Sequence, residues 1–124
     1  MTITIKIVNL DKVREFLKTA SEKTKQNADN GIKQSGFFIQ TEVQESIAGR
    51  RAEHMSVDTG RFLNSVKASF PKKFVAVVET DVEYAKFLEY GTSKIDARAH
   101  FRNTIMRNEN KIKEFITAEV KKDL

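Results

Sequence analysis

The sequence predicts an α+β domain in which a small antiparallel sheet packs against a long bent N-terminal helix, a short helix and a C-terminal helix. Apolar and polar residues alternate in residues 3–7 and 66–70, and a β-branched run at 74–79 follows the second segment. Residues 12–48 and 101–123 instead place apolar side chains at helical spacing. A chain of 124 residues without an internal repeat fits one domain.

The composition indicates a soluble chain with a modest core. There is no cysteine, which excludes disulfides and thiolate metal sites. No apolar run approaches the ~20 residues that span a bilayer, and the N-terminus lacks the apolar core of a signal peptide. We therefore expect assembly in the cytosol rather than secretion.

The net charge of +5, from 22 Lys and Arg against 17 Asp and Glu, would suit nucleic acid or an acidic partner. The charges are mixed rather than blocked, however, and several opposite charges stand at helical neighbour spacing. These pairs are Glu15 with Lys18, Glu22 with Lys25, Asp29 with Lys33, and Glu109 with Lys113. The pattern favours solvated helix faces.

The N-terminal arm of residues 1–9 is predicted to contain a strand. Ile3, Ile5 and Ile7 alternate there with polar residues, as in a strand that is buried on one face. This strand and a later hairpin would supply the small sheet.

A long helix is predicted over residues 10–49, with Asp11 as its N-cap. The pair Asn30-Gly31 is expected to break or bend it, and Gly36 is a second weak point. The segment is therefore either two consecutive helices or one bent helix. Its apolar positions form two stripes, Val13, Phe16, Leu17 and Ala20, then Ile32, Ile39, Val43 and Ile47.

A hairpin is predicted after the polar loop of residues 49–60. Asp58 or Thr59 suits the N-cap of a single helical turn that starts at Gly60. The two strands that follow are joined by a turn at Pro71-Lys72, because proline is preset for the first central position of a turn.

A short amphipathic helix is predicted over residues 82–90, completing a hairpin-and-helix unit of residues 57–91. Thr80 and Glu83 form a capping-box pattern, and Gly91 suits a left-handed C-cap. One side of this helix is expected to pack on the hairpin and the other to face solvent. The side expected to pack on the hairpin holds Tyr84, Phe87 and Leu88. The side expected to face solvent holds Lys86 and Glu89.

The segment of residues 92–100 is predicted to be a long polar loop that leads into a final helix over residues 101–123. Because this loop is polar and flanked by Gly91, it suits docking on a partner. The apolar stripe of the final helix consists of Phe101, Ile105, Ile112, Phe115, Ile116 and Val120.

Residues of catalytic type lack the spacing that catalysis needs. His54 and His100 stand in or beside loops and outside any metal-ligand spacing, so we expect both to be solvated. No glycine-rich phosphate loop occurs. Asp58, Asp81 and Asp96 are explained as cap or turn residues. We expect no enzymatic activity, no metal and no cofactor.

Two segments carry recognisable sequence elements. They read VDTGRFLNSV at residues 57–66 and VETDVEYAKFLEYGTSKIDARAHFRNTI at residues 78–105. In order and spacing they resemble two elements of the tailed-phage head–tail joining family, also described as tail-completion, neck or minor tail proteins. The resemblance covers roughly residues 10–124.

The residues that match the family pattern come from both elements. They are Thr59, Gly60 and Ser65, then Asp81, Tyr84, Ala85, Glu89, Gly91, Thr92, Ala97, Arg98 and Arg102. We take five of them as a structural motif: Thr59, Gly60, Glu89, Gly91 and Thr92. The chain departs from the pattern at Ala99 and Asn103, where proline is usual, and at His100, where phenylalanine is common.

The resemblance implies a structural role without a reaction. Such proteins join the DNA-filled head of a phage or prophage to the tail, or complete the tail end. They work as rings, commonly of six, between a neck or head-completion protein and the tail tube or tail terminator. The resemblance thus implies assembly in the host cytoplasm and a final place at the head–tail junction. Because a ring multiplies the positive charge of each copy, we also expect sequence-independent contact with DNA in the lumen.

We expect the partner interface to include both arginines of the second element, because guanidinium groups pair with carboxylates, and exposed tyrosines as aromatic anchors. The expected interface residues are Arg98, Arg102, Tyr84, Tyr90 and Lys94.

Two other classes of protein stay open. A basic nucleic-acid-binding module would suit the isoelectric point near 9.5, although no helix has a basic face free of acids. A small α+β ribonuclease would need Arg, His, Tyr or Glu side chains that converge on a sheet face. The predicted strands offer mainly Lys67, Ser69 and valines.

Overall fold

The computed structural model describes residues 2–6, 15, 18–56 and 60–122. It confirms the α+β class, with a small antiparallel sheet, a long N-terminal helix, a short helix and C-terminal helices. The elements are β1 (Thr2–Lys6), α1 (Glu22–Ile47), α2 (Arg61–Ser65), β2 (Lys67–Lys72), β3 (Val75–Glu79), α3 (Ala85–Tyr90), α4 (His100–Arg107) and α5 (Glu109–Lys121). No helix within these residues is long and apolar enough to cross a membrane.

The sheet has the strand order β1-β3-β2, and both pairs are antiparallel. Val78 of β3 pairs with Ile3 on one side and with Ala68 on the other. The predicted N-terminal strand is therefore confirmed from Thr2 to Lys6, whereas Ile7 lies outside the described residues.

Helix α1 runs unbroken through Asn30, Gly31 and Gly36, so the predicted break at Asn30-Gly31 is wrong. Residues 19–21 interrupt the helical segment instead, where Ser21 caps α1 by accepting a hydrogen bond from the N–H of Thr24 at 3.1 Å. The earlier predicted positions Asp11, Val13, Phe16 and Leu17 lie outside the described residues.

Gly31 serves close packing between α1 and α5. A Cβ at this position would lie 2.7 Å from the Cα of Ile116, a distance that real side chains do not tolerate. The glycine thus allows the two helix backbones to pack closely. The backbone hydrogen bonds of α1 keep the helix continuous at this position.

The core lies between α1, β3 and the last two helices. The predicted second stripe of α1 is confirmed, because all four of its residues are buried. The same core includes Ala76 and Val78 of β3, Phe101 of α4, Ile112 and Ile116 of α5, Phe62 of α2 and Ala85 of α3.

The hairpin turn lies at residues 73–74, so the turn predicted at Pro71-Lys72 is wrong. Strand β2 continues through Pro71, with irregular register between Ser69 and Lys72. A proline is tolerated there because β2 is the edge strand and its missing N–H breaks few ladder bonds.

Phe74 belongs to this turn rather than to the returning strand, which begins at Val75. Its φ is 63°, the left-handed region that side chains rarely adopt. The N–H of Phe74 donates to the buried carboxylate of Asp29 at 2.8 Å. This bond from α1 holds the turn in place.

The short helix α3 begins at Ala85, later than predicted, and the capping box of Thr80 and Glu83 does not form. The Thr80 hydroxyl instead accepts from the N–H of Val82 at 3.2 Å and lies 2.5 Å from the hydroxyl of Ser65. Thr80 therefore ties the end of β3 to α2 before the helix starts.

Two further boundaries differ from the sequence prediction. Helix α2 has Gly60 as its N-cap residue, with φ 82°, and the predicted caps Asp58 and Thr59 lie outside the described residues. The predicted single final helix is divided at Asn108, whose side-chain amide donates to the carbonyl of Thr104 at 2.9 Å. An asparagine that bonds to the preceding turn favours a helix end over continuation.

Candidate assembly interface

Glu89 on α3 is buried, with 1% of its surface exposed, although the helical wheel predicted that it faces solvent. Its carboxylate accepts hydrogen bonds from the backbone N–H groups of Phe101 and Arg102, both at 2.9 Å. The cause lies in α4, whose N-cap residue Ala99 has no side-chain oxygen for those donors. Glu89 thus caps a neighbouring helix.

Arg102 completes this arrangement from the other side. Its guanidinium donates to the Glu89 carboxylate at 3.1 Å and to the Glu89 carbonyl at 2.7 Å. The same guanidinium lies 4.6 Å from the ring centre of Tyr90. Arg102 is therefore held in one orientation while 46% of its side chain stays exposed.

Burial of Glu89 turns the aromatic residues of α3 outward. Tyr84, Phe87 and Tyr90 are 39%, 50% and 59% exposed, so the predicted packing of Tyr84 and Phe87 against the hairpin is wrong. Ala85 is the buried apolar residue of the helix, and Leu88 is half-buried. These three rings, spaced three residues apart, form what we call the aromatic face of α3.

The rings of the aromatic face are supported from the side. Tyr84 meets the buried ring of Phe62 edge-on at 5.9 Å, and the ammonium of Lys86 lies 5.3 Å from the ring centre of Phe87. Together with the Arg102–Tyr90 contact, these interactions limit the rotamers of the exposed rings.

Arg98 fastens two loops together. Its guanidinium donates to the carbonyl of Met55 at 3.0 Å, and its backbone N–H donates to the carbonyl of Leu88 at 2.5 Å. The segment after α3 is thereby held against the loop before α2. Lys94, the remaining basic residue of the expected interface, is exposed in the same segment.

The segment after α3 forms a compact turn. The Thr92 hydroxyl accepts from the N–H groups of Lys94 and Ile95, at 3.1 and 3.2 Å. Gly91 has φ 77°, and a Cβ there would lie 2.8 Å from the nitrogen of Ala97. Gly91 and Thr92 shape this turn, while Thr59 lies outside the described residues.

His100 is fully buried, so the expectation of a solvated histidine is wrong for this residue. Its two ring nitrogens lie 2.8 Å from the hydroxyls of Ser46 and Ser56. Burial, together with the nearby positive charges of Arg98 and Arg107, lowers the pKa of His100 to about 4, although the Glu53 carboxylate opposes the shift. The imidazole is therefore neutral near pH 7.

Glu53 extends the same network to α4. Its carboxylate accepts two hydrogen bonds from the Arg107 guanidinium, at 2.9 and 3.1 Å, and one each from Ser46 at 2.5 Å and Asn103 at 3.1 Å. Burial acts to raise its pKa, but these hydrogen bonds outweigh burial and lower the pKa to about 2. The loop before α2 is thus bonded to both α1 and α4.

A cleft of about 630 Å³ separates residues 52–54 from residues 95–99. Two of its charged groups are already engaged, since Glu53 binds Arg107 and Arg98 binds the carbonyl of Met55. Ser56 and His100 resemble a nucleophile and its base, but the imidazole is sealed from solvent and contacts a second hydroxyl. Within the described residues, no cluster of His, Asp and Glu could hold a metal ion.

Sequence reasoning missed the burial of Glu89, His100 and Glu53 and the exposure of Phe87. One local signal was available, because a helix that starts at His100 after Ala99 has no N-cap oxygen of its own. No comparable local signal marks His100, whose partners are 44 and 54 residues away along the chain.

The exposed rings of the aromatic face mark a surface suited to contact with another protein. The sequence model of the family described as "Bacteriophage HK97-gp10, putative tail-component" matches residues 11–91, more than half of the chain. The chain belongs to this family, which gives it a structural role in a phage virion and contacts with other virion proteins. No curated protein and no solved structure is significantly similar to it.

The family match includes the first resembling element and the second as far as Gly91. Residues 92–124, with both candidate arginines, lie beyond it. The resemblance of that part to the head–tail joining pattern stays a prediction.

Proposed function

We propose that this protein joins the DNA-filled head of a tailed phage or prophage to the tail, or completes the tail end, as a ring of identical copies. The observation that supports this role is the exposed aromatic face of α3 in a chain of the tail-component family. The protein assembles in the host cytoplasm and ends at the head–tail junction. It catalyses no reaction.

The aromatic face has the chemistry of a protein contact. Tyr and Arg are enriched among residues that dominate binding energy, and Tyr90 and Arg102 stand stacked at its edge. The hydrogen bonds of Arg102 to Glu89 fix the pair before a partner arrives, which reduces the side-chain entropy lost on binding. Tyr84, Tyr90, Arg98, Arg102 and Lys94 form the partner interface in this proposal, and Phe87 joins them.

A joining protein needs two partners, one toward the head and one toward the tail. The neck or head-completion protein and the tail tube or tail terminator fill these positions. DNA that leaves the head passes through the lumen of the ring. The basic net charge supports contact with that DNA, so the nucleic-acid-binding alternative becomes part of the same role.

The test is a deletion of the gene in its parent phage or induced prophage, with lysates viewed by negative-stain electron microscopy. We expect DNA-filled heads beside complete, unattached tails, and joined particles after addition of the purified protein. Normal, infectious virions from the deletion strain would overturn the proposal.

The interface is tested by complementation with the double variant Phe87→Ser and Tyr90→Ser. Because both rings are at least half exposed, the variant should fold normally and fail to join heads to tails. Phe37→Ser is the matched control, since Phe37 is 56% exposed on α1 and lies against Phe70 of β2. If the double variant joined particles as well as the control, the aromatic face would not be the contact.

A further inference from the structure

The positive charge of the chain is concentrated around the hairpin. Residues 59–78 contain four basic residues and no Asp or Glu, against a net charge of +5 for all 124 residues. The charges are thus mixed along the helices but not along this stretch. Three of the four are the lysines of β2 and its turn, Lys67, Lys72 and Lys73.

These three lysines, which we call the hairpin lysines, are all exposed. Among the described residues, none of them takes part in a salt bridge, whereas the helices pair many of their cations. Lys33 of α1, for example, lies 3.5 Å from the carboxylate of Asp29. Lys67 faces Glu79 across the strand pair, whereas Lys72 is opposite Val75 and Lys73 lies in the turn. The positive charge of the hairpin lysines is therefore least offset at the turn.

The backbone edge of β2 is closed to an added strand. The N–H of Ala68 donates to the side-chain oxygen of Gln40 on α1 at 2.7 Å, in the place where a neighbouring strand would accept. Pro71 has no N–H, and the register is irregular beside it. Pairing of this edge with another copy or with an extended peptide is thus disfavoured.

The surface of β2 also lacks a hydrophobic anchor. No large apolar side chain of β2 itself is highly exposed, and Phe70 is half-buried against Phe37, an exposed ring that belongs to α1. A protein interface normally has a buried apolar or aromatic centre. What β2 offers is lysine ammonium groups and the hydroxyl of Ser69, which suit phosphate oxygens.

We infer that the β2 edge and its turn bind the phosphate backbone of double-stranded DNA through Lys67, Lys72 and Lys73, without regard to sequence. The two surfaces of the molecule then differ in partner, with the aromatic face of α3 for protein and the hairpin lysines for DNA. The inference rests on the proposed place at the head–tail junction only for the source of that DNA.

The test measures binding of the purified protein to a fluorescent 20-base-pair duplex by anisotropy over a series of KCl concentrations. The variant Lys67→Gln/Lys72→Gln/Lys73→Gln is compared with Lys23→Gln/Lys113→Gln/Lys121→Gln. The control removes the same charge from three exposed helix lysines that also lack salt bridges in the described chain. Circular dichroism and thermal unfolding verify that both variants are folded.

The expected result is specific to the hairpin. Each phosphate contact contributes about 0.9 to the slope of log affinity against log salt, so loss of three contacts lowers the slope by about 2.7. The control should keep the wild-type slope. Equal losses in both variants, or no binding by the wild type at low salt, would overturn the inference.

An acidic protein partner is the competing outcome. If poly-L-glutamate, but not the duplex, distinguished the two variants, that partner would replace DNA at the hairpin. The head–tail joining role is tested independently in the phage. A hairpin variant that rescues joining but binds no DNA would separate the two proposals.

Discussion

The carboxylate of Glu89 lies 2.9 Å from the backbone nitrogen of Arg102, so that a buried side chain of α3 caps the first turn of α4. The same carboxylate binds the Arg102 side chain at 3.1 Å. Capping by a residue from another element makes the end of α3 and the start of α4 a single unit. The exposed rings of Phe87 and Tyr90 are carried by this unit.

Replacement of Glu89 by alanine should destabilise the protein strongly. The change leaves two N–H groups of α4 without their acceptor and Arg102 without its carboxylate, which costs at least ~3 kcal/mol in the free energy of unfolding. Urea unfolding measures the loss. The exposed Glu83 is the control, and Glu83→Ala should change stability by less than ~0.5 kcal/mol. Equal stability of the two variants would contradict the capping role.

Stability should fall as the pH is lowered from 6.5 toward 4, because His100 has a pKa of about 4 in the folded protein and 6.5 as its ordinary value. The unfolded chain binds the proton at a higher pH than the folded chain does. The free energy of unfolding therefore falls by about 3 kcal/mol as the pH is lowered over that range. The pKa of Glu53 is lowered from 4.5 to about 2, so protonation of this carboxylate adds a further loss of stability below pH 4.5. Urea unfolding from pH 8 to 4 measures the first step.

Two histidine variants test whether His100 causes this pH dependence of stability. His100→Gln removes the titrating group from the core and should flatten the stability curve between pH 6.5 and 4. His54→Gln changes the exposed histidine and should keep the wild-type curve. A flat wild-type curve, or the same curve in both variants, would mean that His100 titrates alike in the folded and unfolded chains.

Gly31→Ala should destabilise the contact between α1 and α5. The new Cβ would lie 2.7 Å from the Cα of Ile116, and a backbone atom cannot move aside as a side chain can. Overpacking of this kind costs about 1–3 kcal/mol, which exceeds the gain in helix propensity of up to ~1 kcal/mol.

Gly36→Ala is the comparison for that variant, measured by thermal unfolding. The nearest atom there is the ring edge of Phe70 at 2.9 Å, with the Cβ of Ala76 at 3.1 Å, and the ring can turn away. The loss should be smaller than for Gly31→Ala. The reverse order would show that α5 shifts more easily than the ring of Phe70.

Asp29→Ala should loosen the hairpin turn. The carboxylate accepts from the N–H of Phe74, whose φ of 63° costs about 1–2 kcal/mol without support. Amide hydrogen exchange of Phe74 and Val75 should accelerate, whereas exchange in α5 should change little. Asp29→Asn retains a side-chain acceptor and should preserve most of the protection. Equal acceleration of hydrogen exchange throughout the chain would indicate that the variant loses global stability rather than the local structure of the turn.

The elements that could be predicted from the sequence are those decided by near neighbours along the chain. Strand β1 and the buried stripe of α1 follow from periods of two and 3.6 residues, which depend on local backbone geometry. The predicted turn at Pro71-Lys72 failed because proline is also tolerated within an edge strand. The predicted break at Gly31 failed because a glycine in a helix serves close packing as well as termination.

The predicted interface residues stay a prediction as a contact surface, but the structure shows how some of them are arranged. Arg102 binds Glu89 and lies against Tyr90, whereas Tyr84 contacts Phe62 of α2. The helical pattern of α3 predicted an outward Glu89 because a carboxylate is normally expected to face solvent. The uncapped start of α4 made the buried position more favourable for Glu89 and left the rings outside.

The sequence by itself determined the α+β class, the long apolar stripe of α1 and membership of a phage tail family, because each depends on residues read in order along the chain. Only the tertiary structure decided which face of α3 is exposed. It also decided that His100 is buried and therefore neutral near pH 7. His100 meets hydroxyls that lie 44 and 54 residues away. Such contacts depend on how the elements pack, since burial and hydrogen bonding act between residues that the order of the chain does not place together.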